Sequence, residues 1–273
     1  PERYMKSMSE KPMISRMGAS VPDRIWVQGK DLCNDLLGKI GFTEMTWLEL
    51  TGELPTPAQT KLLEAMLLTL VEHGATPMAI ATRLTYFGAP EALQGAVAAG
   101  LLGMGTAFAG TAEGAAKMLY AGLKGVPEDE PLDGIARAIV DRELDAKRPI
   151  FGIGHNLHKP IDPRTPVLFA IAEEQGYRGR YVALMEAIAS AAEARTGKSM
   201  PVNATGALGA LCCELGLDWR LCRGLAVIGR AVGLVGHIGE ELRTPIALQI
   251  WQRTEEEIAR SVAEADKAGV EQA

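Results

Sequence analysis

The chain has four histidines, and each stands in a different setting. His73 precedes Gly74 at the predicted end of a helix, where it could meet a ligand or simply stabilise the helix dipole. His155 closes Gly152-Ile153-Gly154-His155, where small neighbours let a ligand reach the backbone. His158 follows three residues on and reads equally well as a surface group. His237 lies on an apolar helical stripe, which favours a hydrogen-bonded core histidine over a ligand-binding one. Arg230 interrupts the run Gly224-Leu225-Ala226-Val227-Ile228-Gly229. A buried guanidinium needs a carboxylate partner, supplied by a ligand or by an internal glutamate. Arg164, in Asp162-Pro163-Arg164, falls at a predicted helix start. Lys147, Arg148 and Lys159 flank the glycine loop and could meet the phosphates of a nucleotide-like ligand. Taken singly, each also reads as an ordinary surface charge.

Other chemistries have no footing in this sequence. There is no Walker motif, no GxGxxG after a strand and no HExxH. Cys33, Cys212, Cys213 and Cys222 form no CxxC pair and read as free thiols. The net charge of -6 gives no basic footprint, so no nucleic-acid partner is expected. A locally positive pocket remains compatible with an acidic protein. The residues alone therefore describe a helical protein with one anion site.

Helices must position that site, because helix signals dominate the chain. Thr56-Pro57-Ala58-Gln59 forms a capping box with proline at the first helical position. Leu62, Leu63, Met66, Leu67 and Leu70 then recur at three and four, marking one buried face. Thr76-Pro77 starts the next helix. Further helices are expected near 90–104, 111–123, 131–146, 164–176, 179–196, 205–216, 219–238 and 245–266, with weak strand patterning around Arg24-Ile25-Trp26-Val27. The uncharged stretch Ala92 to Ala112 is rich in glycine and alanine, which suits close helix packing rather than a membrane span. The apolar run Gly224 to Gly239 carries Arg230 and His237, which would be costly in lipid. The polar start PERYMKSMSEKPM lacks the apolar run of a signal peptide. A cytoplasmic protein with no membrane partner is the expectation.

Four motifs fall in an order that resembles the citrate synthase superfamily. They are Leu50-Thr51-Gly52-Glu53-Leu54-Pro55-Thr56, Glu72-His73-Gly74, Gly152-Ile153-Gly154-His155 with Asp162-Pro163-Arg164, and Gly229-Arg230-Ala231-Val232-Gly233-Leu234-Val235-Gly236-His237. The resemblance runs from about Asp23 to Ile250. Gly105-Thr106-Ala107-Phe108-Ala109-Gly110 narrows it, because synthases carry there a histidine that enolises acetyl-CoA. Phe108 is similar instead to the citryl-CoA lyase module of ATP-citrate lyase and its stand-alone relatives.

The resemblance implies an all-α fold, with a large domain from residues 1–122 and 218–273 and a smaller inserted domain, 123–217, on the CoA side. It implies a homodimer, with Arg243 reaching towards the partner's site. It implies cleavage of citryl-CoA to acetyl-CoA and oxaloacetate, with coenzyme A as part of substrate and product and no metal. His73 and His155 would polarise the oxygen that becomes the ketone. Arg230 and Arg164 would pair with the carboxylates of a dicarboxylate or tricarboxylate ligand. Phe108 and Asn203 would line the substrate. Gly152, Ile153, Gly154, Lys159, Lys147 and Arg148 would lie along CoA.

Two departures from the family pattern bear on the chemistry. The family carries Asn-Val-Asp where this chain has Asn203-Ala204-Thr205. That aspartate moves the proton at the acetyl carbon, and a threonine hydroxyl cannot take a carboxylate's part near neutral pH. Loss of a general acid/base typically costs about 10²–10⁴-fold. Asn156 also replaces the arginine that often follows the second histidine. Three readings stay open. One is an enzyme for a related acyl-CoA, with His158 or Glu113 moving the proton. Another is an unusual citryl-CoA lyase. The third is a catalytically weak homologue that binds CoA and dicarboxylates.

Overall fold

The capping box at Thr56 folds as its spacing requires. In this computed structural model, which describes residues 14–154 and 161–270, the Thr56 N–H donates to the Gln59 side chain at 2.8 Å. The Gln59 N–H returns to Thr56 Oγ1 at 3.2 Å. Helix α2 (Pro57–Val71) starts there, and α1 (Phe42–Thr51) precedes it. Leu62, Leu63 and Met66 of α2 are fully buried, as the periodicity predicts. After Val71 the chain turns through Gly74, whose φ is +72°, and α3 (Pro77–Gly88) begins with the Thr76 hydroxyl accepting from the Ala79 N–H.

The chain divides into two compact units, Pro1–Glu64 and Ala65–Ala273. In the first, β1 (Gly18–Val21), β2 (Arg24–Val27) and β3 (Lys30–Asp31) form an antiparallel sheet in that order. A π-helical turn, Leu32–Leu36, leads towards α1. Leu36, Trp47 and Leu48 are its buried apolar residues ahead of α2.

The second unit is built of helices. After the end of α2 and α3 come α4 (Leu93–Leu102), α5 (Gly110–Leu123), α6 (Leu132–Asp145), α7 (Arg164–Glu174), α8 (Arg180–Thr196), α9 (Ala204–Glu214), α10 (Cys222–Glu241) and α11 (Ala247–Val270). Helix α4 packs on α3 and α10, with Ala96 and Gly100 buried. Met78, Met104, Ala109, Ala226 and Leu234 form the core there. The uncharged stretch from Ala92 is thus a packed helix and the turn after it. Helix α9 packs on α5, α7 and α8, while α6 packs on α8.

Trp219–Glu241 is long and apolar enough to cross a membrane by length and composition, and Arg230 lies buried within it. The segment opens with a 3₁₀ turn, Trp219–Leu221, and continues three residues beyond the expected end at 238. Glu241 explains that end. Its carboxylate accepts the N–H groups of Ile246 and Ala247 at 2.9 and 2.8 Å, so the last residue of α10 caps the first turn of α11.

Candidate functional site

Two clusters of sequence-selected residues form. The first surrounds Arg230 on α10. Its side chain is only 7 % exposed, and its Nη1 has no hydrogen-bond partner among the described residues. Burial pulls the guanidinium below its ordinary pKa, and the charge of nearby Glu72 opposes that shift. Glu72 follows the end of α2, and its Oε1 accepts from the N–H groups of His73 at 2.8 Å and Gly74 at 2.6 Å. The side chain of His73 is exposed.

His237 faces the same carboxylate, with Nε2 3.2 and 3.1 Å from its two oxygens. The Nδ1 of His237 accepts from Arg83 Nε at 3.0 Å. The proton of a neutral ring must then sit on Nε2, where it donates to Glu72. Arg83, 3 % exposed, is itself held by Glu241 at 2.6 Å and by Glu240. Burial pushes the Glu72 carboxyl up, but the His73 N–H, the facing His237 and the Gly74 N–H outweigh it and hold it below the ordinary glutamate value.

The second cluster ties the glycine loop to the start of α9. Gly152 has a φ of +88°, and a side chain there would meet the Gly206 α-carbon at 2.6 Å. A side chain on Gly206 would in turn strike the Gly152 carbonyl, so both positions require glycine. The Asn203 N–H donates to the Gly152 carbonyl at 3.0 Å, and its side-chain amide donates to the Gly154 carbonyl at 2.5 Å. Ile153 bridges to Val202. The Asn203 Oδ1 caps α9, accepting the N–H groups of Thr205 and Gly206 and the Thr205 hydroxyl, the last at 2.8 Å. Thr205 thus stands half-buried at the helix start with its hydroxyl directed to Asn203.

Arg164 turns inward. Its Nε and Nη2 donate to Asp162 at 3.0 and 2.8 Å, and the Ala204 N–H reaches the same carboxylate at 2.9 Å. Burial raises the Asp162 carboxyl, but these donors prevail and hold its pKa at about 2. Among the described residues, no hydrogen bond or ion pair joins this cluster to the one around Arg230.

No hydrogen bond or ion pair among the described residues joins Phe108, Glu113, Lys147, Arg148 or Arg243 to either cluster. Phe108 is exposed on the turn before α5, where its carbonyl accepts the Thr111 hydroxyl. Glu113 pairs with Arg223. Lys147 is exposed at a φ of +53°, and Arg148 is exposed and bound to Glu143 at 2.7 Å. Arg243 is exposed just past the end of α10. His155, Asn156, His158 and Lys159 lie outside the described residues.

Sequence reasoning did not single out Glu72 or Arg83 for a part in the site. A signal for Arg83 was present, since it is the only charge in the helix Pro77–Gly88, just as Arg230 interrupts its own apolar run.

The model of the citrate synthase C-terminal domain matches residues 23–251 of this chain. Among solved structures, citryl-CoA lyase from Hydrogenobacter thermophilus superposes with a TM-score of 0.77 at 34 % identity, covering 86 % of this chain and 88 % of that one. ATP citrate lyase from Methanothrix soehngenii, solved with citrate and coenzyme A, has the same fold at a TM-score of 0.70 and 20 % identity. That alignment covers 89 % of this chain and 41 % of the other. A citrate synthase of Acidithiobacillus ferridurans is 28 % identical over 204 residues, 71 % of this chain and 50 % of that protein. The chain spans half or less of the length of the curated relatives it matches. The residues around Arg230 and Asn203 all fall inside the matched span, and the chain belongs to the citrate synthase family.

Proposed function

We propose that this protein breaks or forms a carbon–carbon bond in a CoA thioester, cleaving citryl-CoA to acetyl-CoA and oxaloacetate or handling a related acyl-CoA in the same way. The observation that carries this reading is Arg230, a buried guanidinium whose Nη1 is left without a partner. Such a group is costly unless a carboxylate ligand completes it, and guanidinium–carboxylate pairing is directional and bidentate. Similarity to a citryl-CoA lyase over most of both chains supports cleavage rather than condensation, as does Phe108 in place of a histidine.

In this reading Arg230 binds a carboxylate of the substrate, and His73 and His155 hold the hydroxyl oxygen that becomes the ketone. The hydroxyl proton passes to one of these imidazoles as the carbonyl forms, the bond to the thioester methylene breaks, and its electron pair passes into the enolate of acetyl-CoA. Later protonation of that carbon balances the proton given up. Donors held around the developing oxyanion would contribute most of the rate. The glycine loop lies along CoA, its backbone fixed by Asn203. Arg164 acts through Asp162 in holding the start of α9 to the start of α7, rather than as a free carboxylate ligand.

One observation favours the second reading, a catalytically weak CoA- and dicarboxylate-binding homologue. Thr205 stands where the family has its aspartate, and its hydroxyl already donates to Asn203. Glu113 would move a proton only from within its pair with Arg223. We also propose a homodimer, because α11 leaves Leu248, Trp251, Ile258 and Val262 exposed in the single chain. The division into a large domain and an inserted 123–217 domain, and a cytoplasmic location, remain part of the proposal.

The test is direct. Citryl-CoA is supplied and release of acetyl-CoA and oxaloacetate is followed, with calorimetric binding of CoA, oxaloacetate and citrate in parallel. Turnover supports the lyase reading. Binding without turnover supports the second reading, and neither binding nor turnover overturns both.

A further inference from the structure

A buried guanidinium with a carboxylate nearby ordinarily closes into an ion pair, because a buried charge left unpaired is costly. Arg230 and Glu72 do not. Glu72 lies near Arg230, its Oε2 3.2 Å from where a side chain on Gly233, one turn further along α10, would begin, yet no ion pair or hydrogen bond joins the two among the described residues. Glu72 is occupied elsewhere. Its Oε1 takes the N–H groups of His73 and Gly74, and its Oε2 lies 3.1 Å from Nε2 of His237.

His237 is fixed in turn. Arg83 donates to its Nδ1, Glu240 and Glu241 clamp Arg83, and the N–H groups of Ile246 and Ala247 clamp Glu241. Close helix contact completes the arrangement. A side chain at Gly233 of α10 would strike the Val71 carbonyl at the end of α2, so that position too requires glycine.

We propose that His237 is a positioning residue that holds the Glu72 carboxylate off Arg230, so that a ligand's carboxylate completes the guanidinium instead of an internal one. Glu72 still supplies negative charge near the buried cation, which offsets part of the cost of burial without occupying Nη1. Without the His237 ring, Oε1 keeps its two backbone donors while Oε2 loses its own and can swing to Arg230. This inference rests on the reading of Arg230 as a ligand-carboxylate site.

The test uses His237→Leu, which removes both ring nitrogens. A ligand-free crystal structure of that variant should place Glu72 in an ion pair with Arg230. Glu72 remaining clear of Arg230 overturns the proposal, whatever the substrate. In solution, oxaloacetate is the probe and CoA the control. His237→Leu should weaken oxaloacetate about tenfold, the ratio produced by a coupling of about 1.4 kcal/mol, and leave CoA binding unchanged. Adding Glu72→Gln should restore the affinity, because an amide does not compete for the guanidinium as a carboxylate does. A purely structural role predicts that the second substitution adds further loss, and that result also overturns the proposal. His237→Gln keeps one donor and one acceptor and should bind close to wild type. Should His237→Leu fail to fold, His237→Met takes its place in every arm. If the wild type binds neither oxaloacetate nor citrate, the proposed function falls, and the crystal structure alone decides the positioning of Glu72.

Discussion

The side-chain amide of Asn203 donates to the Gly154 carbonyl at 2.5 Å while its oxygen caps α9, so one residue locks the glycine loop to a helix start. Removing it should be felt at both ends. Asn203→Ala leaves the N–H groups of Thr205 and Gly206 uncapped and should cost about 1–2 kcal/mol, read from denaturant midpoints. Asn203→Asp can still cap but cannot donate to Gly154. It should therefore lose less stability than Asn203→Ala, yet show faster amide exchange at Gly154, whose N–H bonds the Pro201 carbonyl. Equal stability loss in the two variants would show that the cap is not the stabilising part.

Asp162 ties the start of α9 to the start of α7, and its effect depends on pH. Its pKa falls from 3.8 to about 2 on folding, because donors from Arg164 and Ala204 outweigh the burial that would raise it. A lowered folded pKa gives stability that is fully present above the unfolded value and is lost as pH falls through the folded one. The contribution is roughly 2 kcal/mol at about 1.4 kcal/mol per unit. Wild type should be more stable than Asp162→Asn at neutral pH, and the gap should narrow between about pH 4 and pH 2. A gap that stays constant across that range would place the aspartate's role in shape rather than charge.

Much of the helical frame was legible in the sequence, for local reasons. Thr56 and Thr76 announce their helices through caps that need only the next three residues. Helix α1 was not legible, because its buried residues Thr46, Trp47 and Leu48 are consecutive and make no three-four stripe. The strands β1 and β3 flank the one strand that was read, but they are short, and β1 is exposed throughout. In the site, Arg230 was legible as a lone charge in an apolar run. Its relation to Glu72 was not, because that depends on His237 meeting Arg83 across 154 positions. Arg164 was legible as a charge at a helix start, but its inward turn depends on Asp162 being buried.

In the proposed reading, Thr205 is the departure from the family pattern that should limit turnover most directly. Thr205→Asp returns a titratable group to the second residue of α9. A carboxylate there is favoured by the helix dipole by about 0.3–1 kcal/mol, so the variant should fold. It cannot donate to Asn203 Oδ1 as the hydroxyl does, so it should turn away from that oxygen. Citryl-CoA cleavage should rise, bounded by the general acid/base range of about 10²–10⁴-fold. The same dipole that favours the carboxylate also makes it a weaker base, which pulls the gain towards the lower end. A folded, CoA-binding Thr205→Asp variant that releases no more acetyl-CoA than wild type would show that the missing acid is not the limit. Damage to an existing turnover would instead indicate another proton carrier.

Arg230 sets stability against binding. The ligand-free protein carries a buried guanidinium with an unpartnered Nη1, whose pKa is lowered by burial. Replacing buried ionic groups with apolar residues of similar volume is often neutral or stabilising. Arg230→Met keeps most of the side-chain length and removes the charge, so the ligand-free variant should melt at or above the wild-type temperature. The change removes Glu72's nearby cation as well, but that carboxylate keeps its donors from His73, Gly74 and His237. Binding should respond in the opposite sense. Loss of a buried charge pair costs about 2 kcal/mol or more, so oxaloacetate or citrate should weaken at least about thirtyfold while CoA is retained. Thermal melts without ligand and calorimetry with oxaloacetate measure the two effects on one preparation. A variant that is both less stable and unchanged in oxaloacetate affinity would make Arg230 a structural residue and remove the observation on which the proposed function rests.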